Sequence, residues 1–189
     1  MEKFTKLKPK ENKSPKENVL FDNKYIKVID FENWSIISEK NLVVCIPYFI
    51  ETNQFLIRQE YIPTFKYVEG QEYYATVLSG GIELGEEPQT ALLRELEEEA
   101  GIVLNEDYDL EKLKPLFINK GHVNKYFPYI LPLSEKDYSE VIAKGDGSEA
   151  EKLSKSVKVD VKYIDSINTA DLITDYMLLK FKEYLNVFI

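Results

Sequence analysis

Residues 80–102, GGIELGEEPQTALLRELEEEAGI, constrain the chain more than any other stretch. Pro88 suits a first helical turn, because its φ is right and it needs no N–H partner there. Glu86 and Glu87 sit at the positive end of the helix dipole. Residues 89–100 contain no Gly or Pro and are mostly strong helix formers. Gly101, able to take a positive φ, ends the helix. Ala91, Leu92, Leu96 and Ala100 fall near one side, with Leu93 flanking them, so the helix should lay one face on a core.

The acids of that helix are the chemical signal. Glu95, Glu98 and Glu99 stand at i, i+3 and i+4, so their carboxylates gather on one side. Like charges at that spacing repel and call for a positive partner. Hard oxygen ligands suit Mg²⁺ or Mn²⁺, which bridge well to diphosphate oxygens. Arg94 lies four residues before Glu98 and could pair with a carboxylate to set its rotamer. The bland alternative is the solvated face of an ordinary amphipathic helix.

The spacing as a whole resembles a known pattern. Gly80, five residues, Glu86, seven residues, Arg94-Glu95-Leu96, one residue, Glu98-Glu99, one residue and Gly101-Ile102 is similar, at every specified position, to the Nudix box of the Nudix hydrolases. The resemblance implies that Glu98 and Glu99 are metal ligands and that Glu95 is a further ligand or a carboxylate that orients water. It implies that Glu86, Arg94 and Gly101 support the site, and that the Gly80 backbone lies beside the metal.

Composition sets the class. A chain of 189 residues with 44% hydrophobic content suits one generous domain, or one domain with an N-terminal extension. The net charge of −9 and pI near 4.8 argue against nucleic acid as the main partner. The single cysteine, Cys45, lies in an apolar run and reads as a buried spectator. No apolar stretch is long enough to span a membrane, and the lysine-rich start lacks a following apolar segment. A cytoplasmic enzyme fits these features.

Along the chain, residues 1–17 read as a flexible polar tail, with a basic arm that contacts an acidic partner as the alternative. Short apolar runs at 19–21, 25–31 and 34–37 read as strands of an antiparallel extension over 18–40. This extension resembles the N-terminal sheet of the ADP-ribose pyrophosphatase group, which implies a homodimer. Residues 41–49 should be a central strand and 55–59 its neighbour. Residues 62–72 read as a long aromatic-rich connection. Tyr67, in this loop, could stack on a base or simply pack. Residues 73–78 read as a strand feeding the box. Further strands are expected at 114–118, 126–133 and 157–164, a short helical piece at 137–143 and a last helix from 169 to about 184.

The segments around the box depart from that group. Arg58 opens Arg-Gln-Glu-Tyr rather than Arg-Gln-Tyr-Arg. Residues 76–80 read Thr-Val-Leu-Ser-Gly rather than Glu-Leu-Pro-Ala-Gly, and residues 119–122 lack the proline of the usual Ser-Pro-Gly segment. His122, the only histidine, could contact phosphate or act as an acid–base group, or be a plain polar loop residue. The acidic glycine-containing loop at 144–151 sits where related enzymes place a mobile loop with a catalytic glutamate. Glu149 and Glu151 are the candidates, with Asp146 behind them.

The expected architecture is α+β: the Nudix fold, a mixed-sheet sandwich over 41–189 flanked by helices, preceded by the antiparallel extension. The implied activity is Mg²⁺- or Mn²⁺-dependent hydrolysis of a small nucleoside diphosphate derivative, foremost ADP-ribose to AMP and ribose 5-phosphate. Nucleotide sugars, dinucleoside polyphosphates and nucleoside triphosphates stand as alternative substrates. A non-catalytic nucleotide-binding module stands as an alternative class.

Overall fold

The structure is a computed structural model that describes residues 18–23, 25–105, 108, 110, 112–117, 119–145, 147, 152–169 and 171–188. Asp146, Glu149 and Glu151 lie outside the described residues, as does the tail at 1–17.

The centre is β4 (Leu42–Phe49), wholly buried after its first residue. Its side chains alternate between two apolar layers, as a strand of period two requires. Val43, Cys45 and Phe49 pack with Ala91, Leu92 and Leu96 on one face. Val44, Ile46 and Tyr48 pack with Met177, Leu178, Phe181 and Leu185 on the other. The first set of partners belongs to α2 (Pro88–Ala100) and the second to α3 (Leu172–Phe188). One mixed sheet is thus sandwiched between two helices, the expected α+β arrangement.

On one side β4 pairs in parallel with β9 (Tyr126–Leu133), from Leu42↔Tyr126 to Phe49↔Leu133. On its other side the partner changes. Residues Leu42 to Cys45 pair with β7 (Leu78–Gly81), and Tyr48 and Phe49 pair with β5 (Gln54–Tyr61). Pro47 has no N–H to donate and falls in the interval between these two partners. Strand β5 also carries β11 (Lys155–Asp160) on one edge, and pairs with β6 (Tyr73–Thr76) from Arg58 to Tyr61.

Strands β6 and β7 are therefore one run broken at Val77, and β7 carries Gly80 against Glu95 of α2. The Val77 N–H donates to Thr174 Oγ1, 3.2 Å away and fully buried on α3. Thr174→Val keeps the shape and leaves that buried amide without its acceptor. The expected cost is about 1–3 kcal/mol, read as a lower urea midpoint with an unchanged m-value.

Several elements differ from expectation. The connection at 62–72 contains a helix, α1 (Pro63–Glu69), begun by Pro63 and closed by Gly70 at φ 75°. Its aromatic and β-branched content hides the start and stop signals. Residues 114–117, the described part of the strand expected at 114–118, are not a strand. Pro115 interrupts them, and among the described residues only Leu116 bridges to Tyr126 there, exchanging N–H···O bonds of 3.1 and 2.9 Å. The segment expected to be helical at 137–143 is instead β10 (Tyr138–Glu140), paired with β8 (Ile102–Leu104) through Glu140↔Ile102. Tertiary pairing overrides local propensity there. The strand expected to reach 164 ends at Asp160, whose carboxylate accepts the Lys162 N–H and opens a 3-10 helix (Val161–Ser166).

The N-terminal extension is a separate antiparallel meander of β1 (Asn18–Asp22), β2 (Lys27–Phe31) and β3 (Trp34–Ser38). Glu32 and Asn33 both have positive φ in the two-residue β2–β3 turn, the primed-turn geometry that matches strand twist. Ile37 ties this sheet to the domain, donating to the Gly121 carbonyl at 2.7 Å and accepting from the Val123 N–H at 3.0 Å. Among the described residues no helix is long and apolar enough to cross a membrane.

Candidate active site

Helix α2 lies on the sheet through Ala91, Leu92 and Leu96, which are fully buried. That contact turns the row carrying Arg94, Glu95, Glu98 and Glu99 toward a cavity of about 420 Å³. Lys40, Gly81 and Glu83 complete its lining.

Arg94 is the hub of this cavity. Its Nε donates to Glu86 Oε1 at 3.2 Å, and one terminal nitrogen donates to Glu95 Oε1 at 2.6 Å and Glu98 Oε2 at 3.2 Å. The other terminal nitrogen donates to the Gly81 carbonyl at 2.8 Å and to Glu86 Oε2 at 3.3 Å. The planar five-donor fork makes such a fan possible where a lysine would not. Glu86 in turn accepts the Glu83 N–H at 2.8 Å, closing the turn before the helix. Lys40 crosses from the lead-in to β4 and pairs with Glu83 at 2.7 Å.

Glu95 is the buried acid of the set, 8% exposed. Its side chain lies flat against Gly80. A Cβ built on Gly80 would stand 1.9 Å from Glu95 Cδ and 2.0 Å from Oε1. Gly80 is therefore required by close approach, not by its backbone angles. Burial pushes the Glu95 carboxyl up, and the Arg94 hydrogen bond opposes that shift.

Glu99 turns toward β5. Its carboxylate lies 3.5 Å from the buried Arg58 guanidinium, and its carbonyl accepts from Ser156 Oγ at 2.9 Å. Gly101 ends the helix at φ 64°, and a Cβ there would meet the Val141 carbonyl at 2.1 Å. The segment after β10 is thereby held on the end of α2, with the Val141 N–H on the Gly101 carbonyl at 2.7 Å and the Gly145 N–H on Glu98 O at 2.9 Å.

Glu95, Glu98 and Glu99 thus line one cavity, with Gly80, Glu86, Arg94, Gly101 and Arg58 placed to shape it. Tyr67 is 92% exposed on α1 and does not line the cavity. His122 sits with its Nδ1 3.2 Å from Glu39 Oε2, in the segment that bridges to β3, and does not line it either. Lys40, Glu83 and Ser156 are the site residues that sequence reasoning missed. Lys40 and Ser156 lie far from the box along the chain, and only the fold brings them in.

Among the described residues no cluster of carboxylates stands close enough to form a ready metal cage. Arg94 occupies the space between Glu95 and Glu98, and Arg58 draws on Glu99. The donor chemistry fits a hard divalent cation nonetheless. Three carboxylates face one cavity, and the missing Cβ of Gly80 leaves room for the carboxylate of Glu95 against the backbone.

A model of the NUDIX domain matches residues 40–160, more than half of the chain. The chain belongs to the Nudix family. It is a Nudix pyrophosphohydrolase, and the matched range contains the whole box. Among solved structures it is similar to the crystal structure of an ADP compounds hydrolase. The TM-score is 0.64 at 19% identity, covering 90% of this chain and 94% of that one. That likeness extends the Nudix fold beyond the matched domain. No curated protein matches the chain in sequence.

The ionic frame of the Nudix box carries a pH dependence. The Arg94 hydrogen bond, aided by the Glu83 N–H, holds the Glu86 carboxyl below its usual range. Asp137, bonded by Ser134, and Asp160, bonded by Lys162, are lowered too. Each has a folded pKa below its unfolded one, so the stabilisation is complete at neutral pH and is lost as pH falls through the folded value. Glu95 acts oppositely, gaining stability as pH falls through its raised value. The expected result is a melting temperature that drops below about pH 4, where unfolded carboxyls take protons. Arg94→Met should flatten that acid slope, as measured by calorimetry across the acid range.

Proposed function

We infer that the chain hydrolyses the diphosphate of a nucleoside diphosphate linked to another moiety, with ADP-ribose cut to AMP and ribose 5-phosphate as the leading case. The observation that carries this reading is the gathering of Glu95, Glu98, Glu99 and Arg94 around one cavity. A Nudix box and a fold shared with an ADP compounds hydrolase support it. So does a neighbouring apolar cavity of about 470 Å³, which shares Lys40 and Gly81 and is lined by Tyr25, Ile26, Leu42 and Tyr126. An apolar aromatic pocket beside a charged one suits a nucleoside joined to a diphosphate.

Mg²⁺ or Mn²⁺ held by Glu95, Glu98 and Glu99, beside the Gly80 backbone, would screen the phosphoryl oxygens, acidify a water and stabilise the leaving phosphate. The chain's own residues do the positioning. Arg94 orients Glu95 and Glu98 through hydrogen bonds that leave each carboxylate a second oxygen. Lys40 adds a flexible cation at the rim, where it can contact a phosphate oxygen. Glu149 or Glu151 supplies the carboxylate that positions the attacking water. The meander at 18–40 serves as a homodimer element, through the exposed Val19, Leu20, Phe21 and Trp34. The enzyme works in the cytoplasm.

A diphosphate panel with Mg²⁺ and with Mn²⁺, resolved by product identity, tests the reading. AMP and ribose 5-phosphate from ADP-ribose are the expected products. Turnover of a nucleotide sugar, dinucleoside polyphosphate or nucleoside triphosphate alone would move the assignment to that class. Nucleotide binding without turnover of any compound would make the chain a binding module.

A further inference from the structure

A second cavity, also of about 470 Å³, shares Glu99 with the acidic one. Arg58, Lys144, Lys152, Lys155 and Ser156 line it with Glu99. Four cations meet one carboxylate among these residues, in a chain with 33 acids and 24 basic residues. Among the described residues the charge reverses locally, against a box glutamate.

The framework of this cavity is built, not loose. Lys155 and Ser156 are held in β11 by pairing with Gln59 and Arg58 of β5. Lys144 is fixed beside the Gly145 N–H, which donates to Glu98 O. Lys144 is thus anchored at the end of α2 that carries Glu98 and Glu99, and Lys155 lines the same cavity from β11.

That end of a helix is electronegative, and cations there often only complement the dipole. Here its last carbonyls already have donors. Gly101 N–H serves Glu97, Gly145 N–H serves Glu98, and Arg58 and Ser156 serve Glu99. Lys144 and Lys155 make no ion pair among the described residues. Lys158, two residues after Ser156 on the same strand, by contrast pairs with Glu140 at 2.5 Å.

We propose that this cavity is an anion subsite, and that the moiety beyond the scissile diphosphate carries a phosphate of its own, held by Lys144 and Lys155. The proposal rests on the diphosphate-hydrolase reading and narrows its substrate class. The distal ribose of ADP-ribose is neutral and would leave both lysines unused. A phosphorylated distal group would take charge-assisted hydrogen bonds from them, beside a buried guanidinium.

The test uses two substrates that differ only in that group, ADP-ribose and ADP-ribose 1″-phosphate, on the full chain with Mg²⁺. The ratio of their kcat/KM values should favour the phosphorylated compound about tenfold, as one or two charge-assisted contacts allow. In Lys144→Ala/Lys155→Ala the ratio should fall to about one. A ratio near one in the natural protein, or one that the double variant leaves unchanged, would overturn the proposal. A role confined to the helix end would lower the melting temperature of the double variant and leave the ratio alone, which also overturns it. Turnover of neither compound counts against the hydrolase reading itself. The subsite is then judged by titrating inorganic phosphate and following the backbone amides. Shifts at Lys144, Gly145 and Ser156 that vanish in the double variant support it, and no shift there refutes it.

Discussion

Glu98→Gln should leave a folded protein whose diphosphate hydrolysis falls by about 10²- to 10⁴-fold, a loss of about 3–5 kcal/mol of transition-state stabilisation. Glu98 has no part in the core. Its side chain is 34% exposed, and its polar partner is Arg94 at 3.2 Å. The amide keeps the shape and can still accept that hydrogen bond. What it removes is the charge that a divalent cation needs from this ligand. Thermal melting should therefore stay close to that of the natural protein while kcat collapses. Activity near the natural level in a folded Glu98→Gln sample would remove Glu98 from the metal site.

Gly80→Ala should be nearly as damaging to activity, by a different route. The added methyl would lie 1.9 Å from Glu95 Cδ and 2.2 Å from Cγ, so the two cannot coexist as placed. Glu95 is buried and bonded to Arg94 at 2.6 Å. It must swing out, break that bond and carry its carboxylate out of line with Glu98. A rate loss of about 100-fold or more follows if Glu95 helps hold the cation, with about 1–3 kcal/mol lost from stability through overpacking. Gly81→Ala is the control. Its methyl would meet only the flexible Lys40 side chain, at 3.2 Å, so its activity should fall far less. Equal activities for the two variants would show that the Gly80–Glu95 contact does not matter to turnover.

Much of the site could be read from residue order because the box is local. Helix α2 supplies Arg94, Glu95, Glu98 and Glu99 on one face within two turns, and its Pro start and Gly stop are written in the chain. The central strand was legible for a similar reason. An unbroken apolar run of eight residues can only be covered on both faces, and β4 is.

The errors share a physical origin. Residues 138–140, within the segment expected to be helical at 137–143, pair with β8 because Ile102 to Leu104 offer a free edge, which local propensity cannot register. Residues 114–117 make a single bridge, Leu116 to Tyr126, because Pro115 has no N–H to give to a ladder. In both, backbone hydrogen bonds between segments far apart in sequence decided the outcome. The aromatic loop gave the converse case. Tyr67, singled out as a stacking candidate, stands outward on α1, while Tyr25 and Tyr126 come together beside the acidic cavity.

By itself, residue order determined the helix, the row of acids on it and the strand beneath it, since these depend on periods of 3.6 and 2 within short windows. Only the tertiary structure decided that Glu99 faces Arg58, that Lys40 reaches Glu83, and that Gly80 gives way to Glu95. Those contacts join positions from separate strands. Their geometry follows from how the sheet stacks and where its strands change partners, and no window of the chain contains that information.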